Sequence, residues 1–162
     1  MKNKIFILII IGIVILTTIV VLCIIFRPKK VEISEIKSMH FSYSNGYSAY
    51  AYSTYDLDYK DGKYIASIKP DGIPDSEARE ISVDKDFVKK IESILSKYDV
   101  GGWDGFRESD KYVLDGDSFS LSVYFVDKTS ISASGYMRWP KNYSSVKEEL
   151  SKLFMDLYNK TY

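Results

Sequence analysis

The stretches "SFSLSVYF" at 118–125 and "SISASGY" at 130–136 decide the fold, because each alternates apolar and polar residues with period two. Phe119, Leu121, Val123 and Phe125 fall on one face of the first, and Ile131, Ala133 and Gly135 on one face of the second. Such alternation marks antiparallel strands with one buried side. Directly opposed residues share a face, so a register with Phe125 opposite Ile131 and Val126 opposite Ser130 is expected, with Asp127–Thr129 as a three-residue loop. The other face then carries Ser120, Ser122, Tyr124, Ser132, Ser134 and Tyr136.

Upstream, "YSAYAYSTYDLDY" at 47–59 places five tyrosines in thirteen residues, with no charge before Asp56. Tyr50 and Tyr52 share one parity, whereas Tyr55, Leu57 and Tyr59 share the other. A bulge or bend near Ser53–Thr54 would reconcile them. Tyrosine suits a half-buried pleated surface, so these rings read first as sheet and second as a stacking platform. Asp61-Gly62 lies between alternating runs and signals a tight hairpin, with Tyr64, Ala66 and Ile68 on the return strand. "KPDGIPD" stops that strand, and "REISVD" supplies another.

Two helices complete the pattern. Phe87, Val88, Ile91, Ile94, Leu95 and Tyr98 form one face of a helix from Lys85 to Tyr98, capped by Asp84 and ended by Gly101-Gly102. Val146, Leu150, Leu153, Phe154 and Leu157 form the stripe of a second, from Val146 to Tyr158, with Ser145 and Glu148 at capping-box spacing. The expected fold is α+β: a mostly antiparallel five- to six-stranded sheet with two helices packed on one face.

Before this domain, residues 5–26, "IFILIIIGIVILTTIVVLCIIF", are free of charge. A helix of that length spans about 33 Å, enough for a hydrocarbon core of about 30 Å. The run is too long for a cleaved signal, and Leu22 before Cys23 does not fit a lipidation site. The chain therefore reads as a cytoplasmic tail (1–4), a signal-anchor helix contacting membrane lipid (5–26), a polar stalk (27–37) and an extracytoplasmic domain (38–162), in a single-pass cell-membrane protein. Lys2 and Lys4 face Arg27, Lys29 and Lys30 across the anchor, so reversed topology is the competing arrangement.

Composition excludes several activities. Cys23 is the only cysteine, so the domain has no disulfide framework and no cysteine-ligated metal site. Beyond Lys2 and Lys4 there are 20 basic against 22 acidic side chains, which is no nucleic-acid footprint. The Ile, Lys, Ser and Tyr bias suggests an AT-rich bacterial genome. His40 is the only histidine and reads as a rim residue at the start of a strand. No GxSxG context exists, so no catalytic residue, cofactor or metal is assigned. Asp104, Glu108, Asp110, Asp115 and Asp117 crowd one connection but match no calcium loop.

Trp103 lies near Arg107, and Trp139 directly follows Arg138. With Tyr136, these five residues are the candidate binding set, since indole faces and guanidinium groups recognise glycans, carboxylates or protein partners. The competing reading is that both indoles plug the ends of the core. Asn142-Tyr-Ser and Asn159-Lys-Thr match the N-glycosylation triplet, which means little in a bacterium.

"WDGF" at 103–106, "LDGDSFSLSV" at 114–123, "ISASGYM" at 131–137 and "PKNY" at 140–143 together resemble an uncharacterised family of small membrane-anchored or secreted proteins, mostly of low-G+C Gram-positive bacteria. The similarity covers about residues 83–154. Asp127-Lys128 departs from the Asp-Gly expected there. The resemblance implies a compact extracytoplasmic domain and no catalytic residues. The expected function is non-enzymatic binding of a protein partner or cell-envelope component; the alternative is an envelope glycan hydrolase using carboxylates in 104–117.

Overall fold

Strand alternation builds one sheet with an apolar side and a hydroxyl side. The computed structural model describes residues 12–19, 30–44, 46 and 51–160. A helix covers residues 12–19 (α1). It is followed by β1 (Ile36–Ser44), β2 (Tyr52–Lys60), β3 (Lys63–Lys69), β4 (Arg79–Val83), α2 (Lys85–Lys97), β5 (Arg107–Ser109), β6 (Ser118–Phe125), β7 (Ser130–Tyr136) and α3 (Tyr143–Lys160). The sheet order is β4-β3-β2-β1-β6-β7-β5. All pairs are antiparallel except β5 with β7, which is parallel.

The domain is α+β as expected, but the sheet has seven strands, not five or six. The added strand, β5, is three exposed residues with no apolar alternation to announce it. The apolar run 5–26 lies largely outside the described residues. Among the described residues no helix is long and apolar enough to cross a membrane.

Three local expectations change. First, the β6–β7 hairpin keeps its faces but pairs Val123 with Ile131 and Tyr124 with Ser130, a slip of two residues. The loop is Val126–Lys128, closed by Phe125 N–H donating to Thr129 O at 3.0 Å, and Lys128 takes the left-handed conformation (φ 71°). Second, β2 runs without a bulge through Ser53 and Thr54. Tyr52 simply faces the hydroxyl side, where Lys69 Nζ sits 3.3 Å from its ring centroid, while Ser53, Tyr55 and Leu57 face the core. Third, α2 is ended by Asp99 in the left-handed region (φ 61°), not by Gly101-Gly102. Gly101 has a different reason: a Cβ there would lie 1.8 Å from Val31 O. Val31 N–H donates to Gly101 O at 3.2 Å, so two backbones touch where only glycine fits.

That contact pins the chain entering the domain. Val31 and Ile33 pack against the core, and Lys30 pairs with Asp99. Glu35 O accepts from Val126 N–H at 2.9 Å, and Ile36 is fully buried at the start of β1.

The Asp61-Gly62 hairpin forms as expected, both residues with positive φ (52° and 80°), as a type I′ turn requires. Asp84 Oδ1 caps α2 by accepting from Phe87 N–H at 2.9 Å. Helix α3 begins at Tyr143, before the expected capping box, with Val146 N–H donating to Asn142 O. Both helices cover the apolar side. Phe154 of α3 stacks on Tyr55 (5.0 Å between centroids) and meets Phe87 of α2 edge-on (5.3 Å). The opposite side of the sheet carries no helix among the described residues.

Candidate recognition cleft

The C-terminal end of β1 and the start of α3 diverge around a cleft of about 500 Å³. Tyr43 and Ser44 come from β1, Asp117 from the turn before β6, Trp139 from the loop after β7, and Tyr143, Lys147, Glu148 and Ser151 from α3. Residues 143, 147 and 151 recur every four positions and so share one helical face.

The aromatic wall is a stack. Trp139 lies on Tyr143 with centroids 4.6 Å apart and planes 16° apart, and Phe119 backs the pair at 5.7 Å from Trp139 and 4.7 Å from Tyr143. Trp139 remains 38 % exposed, while burial holds the Tyr143 hydroxyl above the ordinary tyrosine range. Arg138 and Pro140 flank Trp139, and Arg138 is tied to Asp110 at 3.2 Å.

Opposite the indole, Tyr43 donates to or accepts from Tyr55 Oη (3.2 Å) and Ser151 Oγ (3.1 Å), and Lys147 Nζ lies 4.2 Å from its ring centroid. Desolvation pushes the Tyr43 hydroxyl up, but the hydrogen bonds from Ser151, Ser53 and Tyr55 and the Lys147 charge outweigh it, so its pKa is lowered. Tyr55, deeper and dominated by burial, is raised. Tyr43 is therefore the more acidic member of the pair.

The candidate set separates in space. Trp103 is 3 % exposed and donates from Nε1 to Lys141 O at 3.0 Å, packed against Phe119 and Tyr143. Trp103 follows the core-plug reading and presents no exposed indole, whereas Trp139 does not follow it. Arg107 lies on β5 and donates to Ser132 Oγ at 3.2 Å. Tyr136 donates from its hydroxyl to Leu114 O at 2.9 Å, closing the loop before β6. Of the five, Trp139 alone lines the cleft.

The crowded carboxylates also disperse. Asp104 Oδ1 accepts from Ser132 N–H at 3.0 Å, and Asp110 Oδ1 from Tyr112 N–H at 3.1 Å. Asp117 joins the cleft. The expectation missed Tyr43, Tyr143, Lys147 and Ser151. The four-residue spacing of the last three was visible, but their meeting with β1 depends on tertiary placement.

A scan against protein-family models finds no match, and a search of curated proteins finds no significant one.

Proposed function

We propose that this chain is a membrane-anchored, extracytoplasmic recognition domain that binds a cell-envelope glycan in the Trp139 cleft. The observation that carries the reading is the indole of Trp139: partly exposed, stacked on Tyr143, and lining a cleft rimmed by hydroxyl, carboxylate and ammonium groups. A sugar ring presents an apolar C–H face to an indole and hydroxyls to the polar rim, so both kinds of group are used at once. A rigid aromatic wall also lowers the ordering cost of binding. The uncharged run 5–26 and the resemblance to small anchored or secreted bacterial proteins support placing this domain at the outer membrane surface, with the four-residue N-terminus inside.

Sedimentation with purified cell-wall sacculi tests the reading. The full-length protein in mild detergent should co-sediment, and Trp139→Ala should remain in the supernatant while staying folded. Equal sedimentation of the two would remove the cleft from the site.

A second reading keeps hydrolysis. Asp117 shares the cleft with Glu148, and two carboxylates flanking a bound glycan are the groups that glycoside hydrolysis uses. It requires release of reducing ends from wall glycan, lost in Asp117→Asn.

A further inference from the structure

On the sheet face away from the helices, three side chains from paired positions of β1 and β2 meet. Asp56 stands directly opposite His40 in the ladder, with its Oδ1 2.6 Å from His40 Nδ1. His40 Nε2 in turn lies 3.2 Å from Ser42 Oγ, two residues along the same strand. We propose that Ser42 is a nucleophile activated by His40 and oriented by Asp56, and that it accepts the acyl group of a carboxylic ester.

The ring nitrogens have distinct partners. A carboxylate at Nδ1 holds the N–H there, which leaves the Nε2 lone pair facing the Ser42 hydroxyl. The carboxylate comes from the neighbouring strand, where the ladder register sets Asp56 directly opposite His40. His40, expected as a rim residue at the start of a strand, thus has two side-chain partners on the open face of the sheet.

The surroundings suit acyl transfer at an open surface. The N–H groups of β1 are taken up by ladders on both sides, so an oxyanion must be met by hydroxyls. Thr54 on β2 and Ser120 on β6 stand directly opposite Ser42 and flank it. Ser42 also borders a shallow cleft of about 440 Å³ that continues past Ser118, Ser120 and Tyr52, giving an acyl chain a place to lie. The His40 side chain is 44 % exposed, so an ester can approach.

The step balances without a cofactor. Ser42 Oγ forms a bond to the ester carbonyl carbon as its proton passes to Nε2. The tetrahedral intermediate expels the alkoxide, which takes that proton and leaves as the alcohol. Water then attacks the acyl-serine by the same proton route and returns the free hydroxyl and a carboxylic acid.

The test uses the purified full-length protein with a fluorophosphonate probe and with p-nitrophenyl acetate, followed by peptide mass spectrometry. An adduct on Ser42 but not on Ser120, slowed about 100-fold in His40→Gln with unchanged circular dichroism, is the expected result. Nitrophenol release abolished by Ser42→Ala, or an acetyl group left on Ser42, supports it equally. The hydrogen bond to Asp56 raises the imidazole pKa above its ordinary 6.5, so labelling should increase as pH rises through that raised value. The titratable groups facing His40 are Asp56 and Asp58 of β2 and Tyr124 of β6. Labelling absent from Ser42, equal on Ser120, or unchanged in His40→Gln would overturn the proposal. Trp139→Ala should leave labelling intact, which keeps this site separable from the recognition cleft.

Discussion

Trp139 lies on Tyr143 with ring planes 16° apart, whereas Trp103, on the far side of the same aromatic cluster, is 3 % exposed and bound through Nε1 to Lys141 O. The two tryptophans therefore sit in opposite settings, one partly exposed at the cleft and one sealed in the core. Trp103→Ala should destabilise the fold by about 3–5 kcal/mol through cavity formation and the carbonyl left without its donor. Trp139→Ala should cost about 1 kcal/mol, the scale of one aromatic contact, yet lose glycan binding. Urea midpoints of the two variants check the ordering.

Gly101 carries the entry segment. Its missing Cβ leaves room for Val31 O, and Gly101→Ala places a carbon 1.8 Å from that oxygen. Backbone cannot yield as a side-chain tip can, so the segment 30–35 should detach. The expected loss is about 1–3 kcal/mol, with the Val31 amide exchanging far faster while Leu57 and Ile68 stay protected. Unchanged exchange at Val31 would refute the docking.

Lys128 occupies the left-handed position of the β6–β7 loop (φ 71°). A residue with a Cβ there costs about 1 kcal/mol relative to glycine. Lys128→Gly should therefore raise the melting temperature by a few degrees, offset in part by the entropy glycine adds to the unfolded chain.

The His40–Asp56 pair predicts a pH dependence of known sign. His40 has its pKa raised above 6.5, chiefly by the hydrogen bond to Asp56, so protonation favours the folded state. That contribution is fully present below 6.5, the ordinary value, and is lost as pH rises through the raised value. Both side chains are partly exposed, so the effect is small. The gap in urea midpoint between the natural chain and Asp56→Asn should shrink between about pH 5 and about pH 8, and a widening gap would refute the assignment.

The strand faces were legible because period-two alternation is carried by every residue of a strand. The register was not, because it hangs on one turn. Asp61-Gly62 holds both positive-φ positions of its hairpin and reads correctly, but the second hairpin places Lys128 where glycine would have marked the turn, and the expected pairing slipped by two. β5 has no pattern to read, since its three residues are exposed and held only by β7. The tyrosine stretch from 52 onward needs no bulge because Tyr52 finds Lys69 on the outer side. Of the five candidates picked out by their chemistry, Trp139 alone lines the proposed cleft. Tyr43, Lys147 and Ser151 were not legible, because nothing local says that the end of β1 meets the first turns of α3. His40, Asp56 and Ser42 depended likewise on a ladder register between strands.

Glycan binding at Trp139 is tested most directly by the two indole N–H signals in a nitrogen–proton correlation spectrum of the full-length protein, titrated with muramidase-released wall fragments. The Trp139 signal should shift with saturation while the Trp103 signal, buried on Lys141 O, stays in place. A titration that moves neither signal, or moves both alike, would contradict the recognition cleft.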